Sequence, residues 1–315
     1  AERSQRDRNG GGRLGSECGE PDGDKHPKWG VFLTERDGIT LQASTVSLTA
    51  ASATGTEGAF VLKLLQSGDL TVAGALTVAG RLGLLVEAGS IQVNAAVQSS
   101  GDAAYIAADQ SIALSDGHSI AVIGSGRLGL VATNGSITLS TTSDLSSGSG
   151  DIRLYADTNI SLGGVVSTTA SVMMIAQDGW IRDVDTDAGV DVVADGLQVI
   201  AGLGAGELGS SENPIETTIT TLSARVGAEG INIRESDDLT LGNVEVRMGE
   251  VDLSGTMLER IYLTQSDVSS VNGGSIVLRT TNGNIVLNDG TAPDNDVAVD
   301  ADGAGRILIE AIGAG

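Results

Sequence analysis

The sequence predicts an all-β protein that folds as a right-handed parallel β-helix, a β-solenoid in which the chain winds through stacked coils of about 20–24 residues each. Three observations predict this fold. Apolar and polar residues alternate in short runs, similar runs recur at a nearly constant spacing, and the 315 residues include 45 glycines but only 2% aromatic residues. A globular enzyme of this size usually fills its core with aromatic side chains, whereas a narrow solenoid stacks aliphatic ones.

The stretch 150–164, GDIRLYADTNISLGG, contains one repeating unit. Apolar residues occupy every second position from Ile152 to Ala156, and the alternation restarts at Ile160. Strict alternation over so few residues predicts two short strands, each with one buried face. The Asp-Thr-Asn sequence between them is typical of a turn. Arg153 is expected to point outward, away from the stacked aliphatic residues.

Related sequence motifs recur between residues 85 and 199, and less regular copies follow as far as residue 311. In each of the earlier copies, a short apolar strand ends in Ala before a polar corner. One coil cannot bury its own apolar face, but stacked coils can, because equivalent side chains pack on one another. The Ala residues predicted to occupy equivalent positions are Ala88, Ala108, Ala132, Ala156, Ala176 and Ala194.

The sequence predicts two regions. Residues 1–36 form an irregular, Gly-rich and charged N-terminal segment, and residues 37–315 form the β-helix. A loop insertion is predicted near 203–216, where a Gly-rich run is followed by two serines and a proline. This region and the segment 121–131 both contain G-x-G-x-x-G spacing, but neither leaves room for the helix of a dinucleotide site. Both are therefore interpreted as solenoid corners.

The net charge of −23 lies entirely in residues 37–315, which hold 34 acidic and 11 basic side chains. Such a surface repels nucleic-acid phosphates and anionic membrane surfaces, so nucleic acid is not an expected partner. The chain has no run of about 18 apolar residues, so membrane insertion is not expected either. The single Cys excludes an internal disulfide.

An acidic corner at 183–191, DVDTDAGVD, is the predicted metal site. Asp183, Asp185 and Asp187 lie two residues apart, a spacing at which alternate carboxylates can bind one Ca²⁺. The calcium loop of helix–loop–helix proteins needs Gly at its sixth position, and Ala188 stands there in this chain. A solvated acidic corner is the alternative. No cofactor is expected unless this corner binds calcium.

The repeat phrases resemble those of the filamentous-haemagglutinin-like large exoproteins of Gram-negative bacteria. The resemblance covers about residues 37–315 and rests on GSIQV, GSITL, GDIRL and GNIVL, together with NPIETTITTLSAR at 213–225. It implies a right-handed parallel β-helix, export across the outer membrane, and a role as an adhesin or surface fibre. The N-terminal secretion domain of that family is not recognisable in this sequence.

The expected function is therefore a non-catalytic, extracellular building block of a surface fibre on a Gram-negative bacterium. Its expected partners are further copies stacked head to tail, or a longer parent rod, and glycans or proteins on host or neighbouring-cell surfaces. Two alternatives stay open. A polysaccharide-acting β-helix enzyme would need clustered carboxylates and aromatic platforms, but Trp180 is the only Trp in residues 37–315. The other alternative is a calcium-stabilised adhesin module.

Overall fold

The structure is a computed structural model that describes residues 30–42, 44–46, 58–185, 189–209, 212–262 and 264–313. These residues form a parallel β-solenoid, which confirms the all-β prediction, and none of them is helical. Accordingly, this part of the chain has no helix that is long and apolar enough to cross a membrane.

Seven consecutive turns of three strands each begin the solenoid. Each strand as far as β18 pairs in parallel with the strand three places further along the chain, so that three stacks of strands form the three sides. The strands of these turns are β1 (Gly30–Glu35), β2 (Ile39–Leu41), β3 (Ser44–Val46), β4 (Ala59–Ser67), β5 (Leu70–Val72), β6 (Leu76–Val78), β7 (Arg81–Ala88), β8 (Ile91–Val93), β9 (Val97–Ser99), β10 (Ala103–Ala108), β11 (Ile112–Leu114), β12 (Ser119–Val122), β13 (Arg127–Ala132), β14 (Ile137–Leu139), β15 (Asp144–Ser147), β16 (Ile152–Ala156), β17 (Ile160–Leu162), β18 (Val165–Ser167), β19 (Ser171–Ala176), β20 (Trp180–Asp183) and β21 (Val192–Ala201).

The stacking continues less regularly beyond β21. The first part of β21 pairs with β18 and its second part with β19, so this strand runs along two sides without a break. All later strands but β26 and β27 join the same parallel sheet. They are β22 (Gly204–Ala205), β23 (Ile215–Val226), β24 (Gly230–Glu235), β25 (Leu239–Leu241), β26 (Arg247–Val251), β27 (Met257–Ile261), β28 (Val268–Ser270), β29 (Ile276–Thr280), β30 (Ile285–Leu287), β31 (Val299–Ala301) and β32 (Ile307–Glu310).

One ladder of inward-facing aliphatic residues runs the length of the described solenoid. It begins at Ile39 and ends at Ile307, and each member is in parallel register with the next. The members between these two are almost fully buried, because each is covered by one aliphatic side chain above and one below. They are Leu70, Ile91, Ile112, Ile137, Ile160, Ile181, Ala205, Ile231 and Ile276.

The predicted register of the six Ala residues is correct for the middle members of the series and wrong for the first and the last. Ala176 pairs with Ala201, not with Ala194, because the unbroken strand β21 carries the chain through two sides. At the other end, the partner of Ala108 is Val86 and not Ala88. The pairs in the predicted register are Ala108–Ala132, Ala132–Ala156 and Ala156–Ala176.

The first described strand begins inside the predicted N-terminal segment. Strand β1 begins at Gly30 and pairs with β4, so the solenoid starts within the segment predicted to be irregular; residues 1–29 lie outside the described part. Between β22 and β23, where a loop insertion is predicted near 203–216, Glu207 and Asn213 form an isolated antiparallel bridge.

A β-hairpin that the sequence analysis did not separate from the repeats covers part of one side. Its strands β26 and β27 pair antiparallel with each other, and β26 contacts β10 and β13 of the solenoid. The Asp252 carboxylate closes the turn between them by accepting hydrogen bonds from the backbone N–H groups of Ser254 (2.8 Å) and Thr256 (2.9 Å). Gly255 in this turn has a φ of +71°, which glycine adopts without steric cost.

The segment that carries this hairpin buries Arg153, which was expected to point into solvent. The Arg153 guanidinium lies 5.0 Å from the ring centre of Tyr155 and 4.4 Å from that of Tyr262, close enough for cation–π attraction. Only 8% of Arg153 is exposed. Its side chain does leave the solenoid on the outer face, but a second layer of protein lies over it.

Glycine residues at the interface allow the hairpin to approach the solenoid closely. A Cβ atom on Gly129 would overlap the terminal methyl group of Met248, which is fully buried. On the hairpin side, a Cβ atom on Gly249 would lie 2.9 Å from the Cβ of Ala103. These contacts are shorter than van der Waals packing allows, so a side chain at Gly129 would displace the buried Met248 side chain and one at Gly249 would press against Ala103.

Ile137→Asp should unfold the turns around β14, whereas Thr138→Asp in the same strand should not. Ile137 is fully buried between Ile112 and Ile160, and a carboxylate there would lose both apolar burial and solvation, at a cost of roughly 4 kcal/mol or more. The neighbouring outward position should cost less than about 1 kcal/mol. Urea unfolding measures both values, and equal destabilisation would contradict the register.

Gly129→Leu should release the hairpin while leaving the solenoid folded, because the new side chain needs the space that Met248 occupies. Trypsin should then cleave after Arg247 and Arg260 at least tenfold faster than in the wild type, with an unchanged far-ultraviolet circular dichroism spectrum. Val131→Leu, at an outward position of the same strand, is the matched control. Equal cleavage rates in all three proteins would contradict close docking at Gly129.

Candidate metal centre

Three buried carboxylates meet at the corner between β20 and β21. Asp183, Asp191 and Glu216 each place one carboxylate oxygen within 4.8 Å of the other two. The three residues are 5%, 4% and 5% exposed, respectively. Charged side chains are rarely buried to this extent unless they are paired or bind a metal ion, which makes this acidic trio the candidate functional site.

Neighbouring turns of the solenoid bring the trio together. Asp183 is the last residue of β20 and occupies the register position that Leu162 has in the preceding turn. Asp191 directly precedes β21, and Glu216 is the second residue of β23. The last two lie one turn apart: the Asp191 N–H donates to the Glu216 carbonyl oxygen, and the Glu216 N–H donates to Asp191 Oδ2, both at 2.9 Å.

Burial makes the negative charge of the trio costly. The pKa of Asp191 is raised to about 9, mainly by burial and also by the charges of Asp183 and Glu216, while the hydrogen bond from the Glu216 backbone opposes the shift. Burial also raises the pKa of Glu216, although the Arg234 guanidinium, which pairs with Glu216 Oε1, acts in the opposite direction.

The loop between β22 and β23 lies against the trio. The side-chain amide of Asn213 donates to the carbonyl oxygens of Asp183 (3.3 Å) and Asp185 (3.1 Å). The backbone of Asn213 is in turn bridged to Glu207, whose carbonyl oxygen accepts a 2.7 Å hydrogen bond from Asn232. Asn213 thus holds the beginning of the acidic corner in place.

The structure groups the predicted ligands differently from the sequence analysis. Asp183 joins Asp191 and Glu216, whereas the Asp185 N–H donates to Asp183 Oδ1 at 2.9 Å. Asp187 lies outside the described residues, so a site built from Asp183, Asp185 and Asp187 stays a prediction. Asp191 lies within the same acidic corner, but it was not a predicted ligand.

Glu216 had no local signal, because it lies 25 residues beyond Asp191. The one clue in the sequence is that this separation is close to the repeat length, which places residues of adjacent turns side by side. An alignment of the repeats could have found the pair, but β21 runs through a corner at which the predicted register is wrong.

The comparisons with known proteins give no further assignment. No protein-family model, no curated protein and no solved structure matches this chain. The fold and the acidic trio therefore rest on the strand register and the side-chain geometry of this protein alone.

The stability of the chelator-treated protein should fall as the pH rises from about 5 to 9. Asp191 has an ordinary pKa of 3.8 and a folded-state pKa of about 9, so between these values the folded protein holds a proton that the unfolded chain has released. The stabilisation is complete below pH 4 and is lost as the pH rises through 9. Thermal melting at a series of pH values measures this slope.

The Asp191→Asn variant has no carboxyl group to titrate at this position, so its melting temperature should depend less on pH than that of the wild type. Asp178→Asn, a change at an exposed corner, should retain the wild-type slope and serves as the matched control. If Asp191→Asn and Asp178→Asn have the same slope, the proton on Asp191 does not control stability in this range.

Proposed function

We propose that this chain is a non-catalytic structural module of an extracellular fibre or adhesin, which lengthens when β-helix ends stack on one another. The open end of the last described turn carries this proposal. Ile307 is 48% exposed, whereas its register partner Ile276 is fully buried. Leu287 is 51% exposed above the fully buried Leu241. The apolar ladders thus reach the end of the stack without a cover among the described residues.

The backbone at this end supports the same proposal. Strand β32 pairs with β29 along one edge, and within the described ranges no strand pairs with its other edge. Such an edge presents N–H and C=O groups that can pair with another strand. The last turn therefore offers both backbone hydrogen bonds and apolar surface to an incoming turn.

A second copy of this chain fits this end better than an unrelated strand. Within the described residues, the inward ladder runs from Ile39 to Ile307. Head-to-tail stacking would place these two isoleucines in the contact that every interior pair of the ladder already makes. Such contacts do not close into a ring and give a filament.

The composition of one groove supports a structural role more than sugar cleavage. A shallow groove of about 460 Å³ is lined by ten residues that include Asp195, Thr218 and Asp238, and none of the ten is aromatic or basic. An enzyme that acts on acidic polysaccharides would need cationic or aromatic side chains there. The repeat phrases that resemble filamentous-haemagglutinin-like exoproteins favour a surface fibre of a Gram-negative bacterium, with surface glycans or proteins as further partners.

Ile307→Lys should weaken self-association about tenfold, because a charge would be buried beneath the incoming turn and the apolar contact would be lost. Ile123→Lys is the matched control, since Ile123 is 53% exposed next to β12, away from both ends. Sedimentation velocity over a range of concentrations measures association, and electron microscopy shows whether the assemblies are rods.

The wild type and Ile123→Lys should form rods at concentrations where Ile307→Lys is monomeric. A wild-type protein that stays monomeric at high concentration would contradict self-stacking. Equal association of the two lysine variants would place the contact elsewhere on the surface.

A further inference from the structure

We propose that Asp183, Asp191 and Glu216 together bind one divalent cation, and that this cation is Ca²⁺. The proposed site differs from the sequence-predicted one, because it uses neither Asp185 nor Asp187. It is also independent of end-to-end stacking, since a single chain supplies all three ligands.

The donor atoms and their spacing fit calcium. All three donors are carboxylate oxygens, which hard cations prefer, and they lie within 4.8 Å of one another. Oxygens on opposite sides of a Ca²⁺ ion are about 4.8 Å apart, since Ca–O distances are about 2.4 Å. The three oxygens can therefore share one coordination sphere. Mg²⁺ needs a nearly regular octahedron at shorter distances and usually keeps several water ligands, so a site that is almost closed to water favours Ca²⁺.

Glu216 has a buried oxygen that nothing in the described structure satisfies. Its Oε1 pairs with Arg234, while Oε2 is shielded from solvent and has no hydrogen-bond partner among the described residues. Glu235, which is buried just as completely, shows the contrast: its Oε2 accepts hydrogen bonds from Thr217 Oγ1 (2.6 Å) and the Ile219 N–H (3.1 Å). An unsatisfied buried carboxylate oxygen is unfavourable, and a cation would satisfy it.

The net charge of the site favours a divalent cation. When ionised, the three carboxylates and the Arg234 guanidinium that pairs with Glu216 carry a net charge of −2. One Ca²⁺ would cancel this charge within a site that is almost closed to water. A proton on Asp191 is the competing way to reduce the repulsion, because a protonated Asp191 can donate a hydrogen bond to the Glu216 carboxylate.

Hydrogen bonds around the trio hold the ligands close together before a cation binds. Asp191 and Glu216 are fixed by their two reciprocal hydrogen bonds. Asn213 ties the carbonyl oxygens of Asp183 and Asp185 to the loop between β22 and β23. Binding therefore requires little rearrangement of the backbone, and bound Ca²⁺ should stabilise the folded state, because the unfolded chain lacks the site.

The full chain, stripped of metal with a chelator and dialysed at pH 8, should be titrated with CaCl₂ by isothermal calorimetry and melted with and without CaCl₂. We expect one Ca²⁺ per chain, a dissociation constant of about 1 mM or lower, and a melting temperature raised by several degrees. MgCl₂ and KCl at matched ionic strength should raise the melting temperature less.

Asp191→Asn and Glu216→Gln should each weaken Ca²⁺ binding at least tenfold, whereas Asp185→Asn and the exposed Asp178→Asn should bind as the wild type does. Loss of binding in Asp185→Asn, with binding retained in Asp191→Asn, would overturn the proposal in favour of the loop site. A wild-type protein that shows no saturable Ca²⁺ binding up to about 10 mM, above the range of weak extracellular calcium sites, would overturn it even if the variants fail to fold. Equal stabilisation by all three salts would show surface screening only and would also overturn it.

Discussion

The parallel register between turns is the constraint on which the rest of this structure depends. Each residue lies directly above its equivalent in the previous turn, so backbone hydrogen bonds and side-chain packing are satisfied by the same alignment. A one-residue slip would move Ile137 and its neighbours to the outer face and place threonines inside. Regular turns therefore tolerate changes of length only at corners, where the chain leaves the ladder and returns to it in register.

The segment inserted between β25 and β28 leaves the parallel register unchanged, as this constraint requires. The segment 243–266 leaves the solenoid after β25 and rejoins it at β28, and Ile231 still pairs with Ile276 despite the 45-residue separation. The hairpin within this segment then uses the outer face of earlier turns as its own core, through Met248 against Gly129 and Tyr262 against Arg153. A solenoid side that would otherwise be a solvated polar surface thus becomes the interface between two layers.

Buried polar residues are concentrated in the later turns, and they follow two different patterns. Glu235 lies in the interior with both carboxylate oxygens hydrogen-bonded, so the protein has matched its charge with donors. The trio of Asp183, Asp191 and Glu216 has more negative charge than its donors and Arg234 offset. This contrast separates a carboxylate that serves the fold from the group that we propose as a cation site.

The sequence by itself determined the fold class, because two-residue alternation and a repeat near 20–24 residues leave few other ways to bury the aliphatic face. It also determined the inward positions of residues such as Ile112, Ile137 and Ile160, since local alternation fixes which side of a strand is apolar. Only the tertiary structure decided what lies against the outer face, as Arg153 shows, because the hairpin strands alternate like any repeat and their antiparallel pairing is not a local property. The acidic trio was decided in the same way: Asp183 lies in a recognisable acidic corner, but Glu216 reaches it only because a full turn of the chain brings residues 25 positions apart into contact.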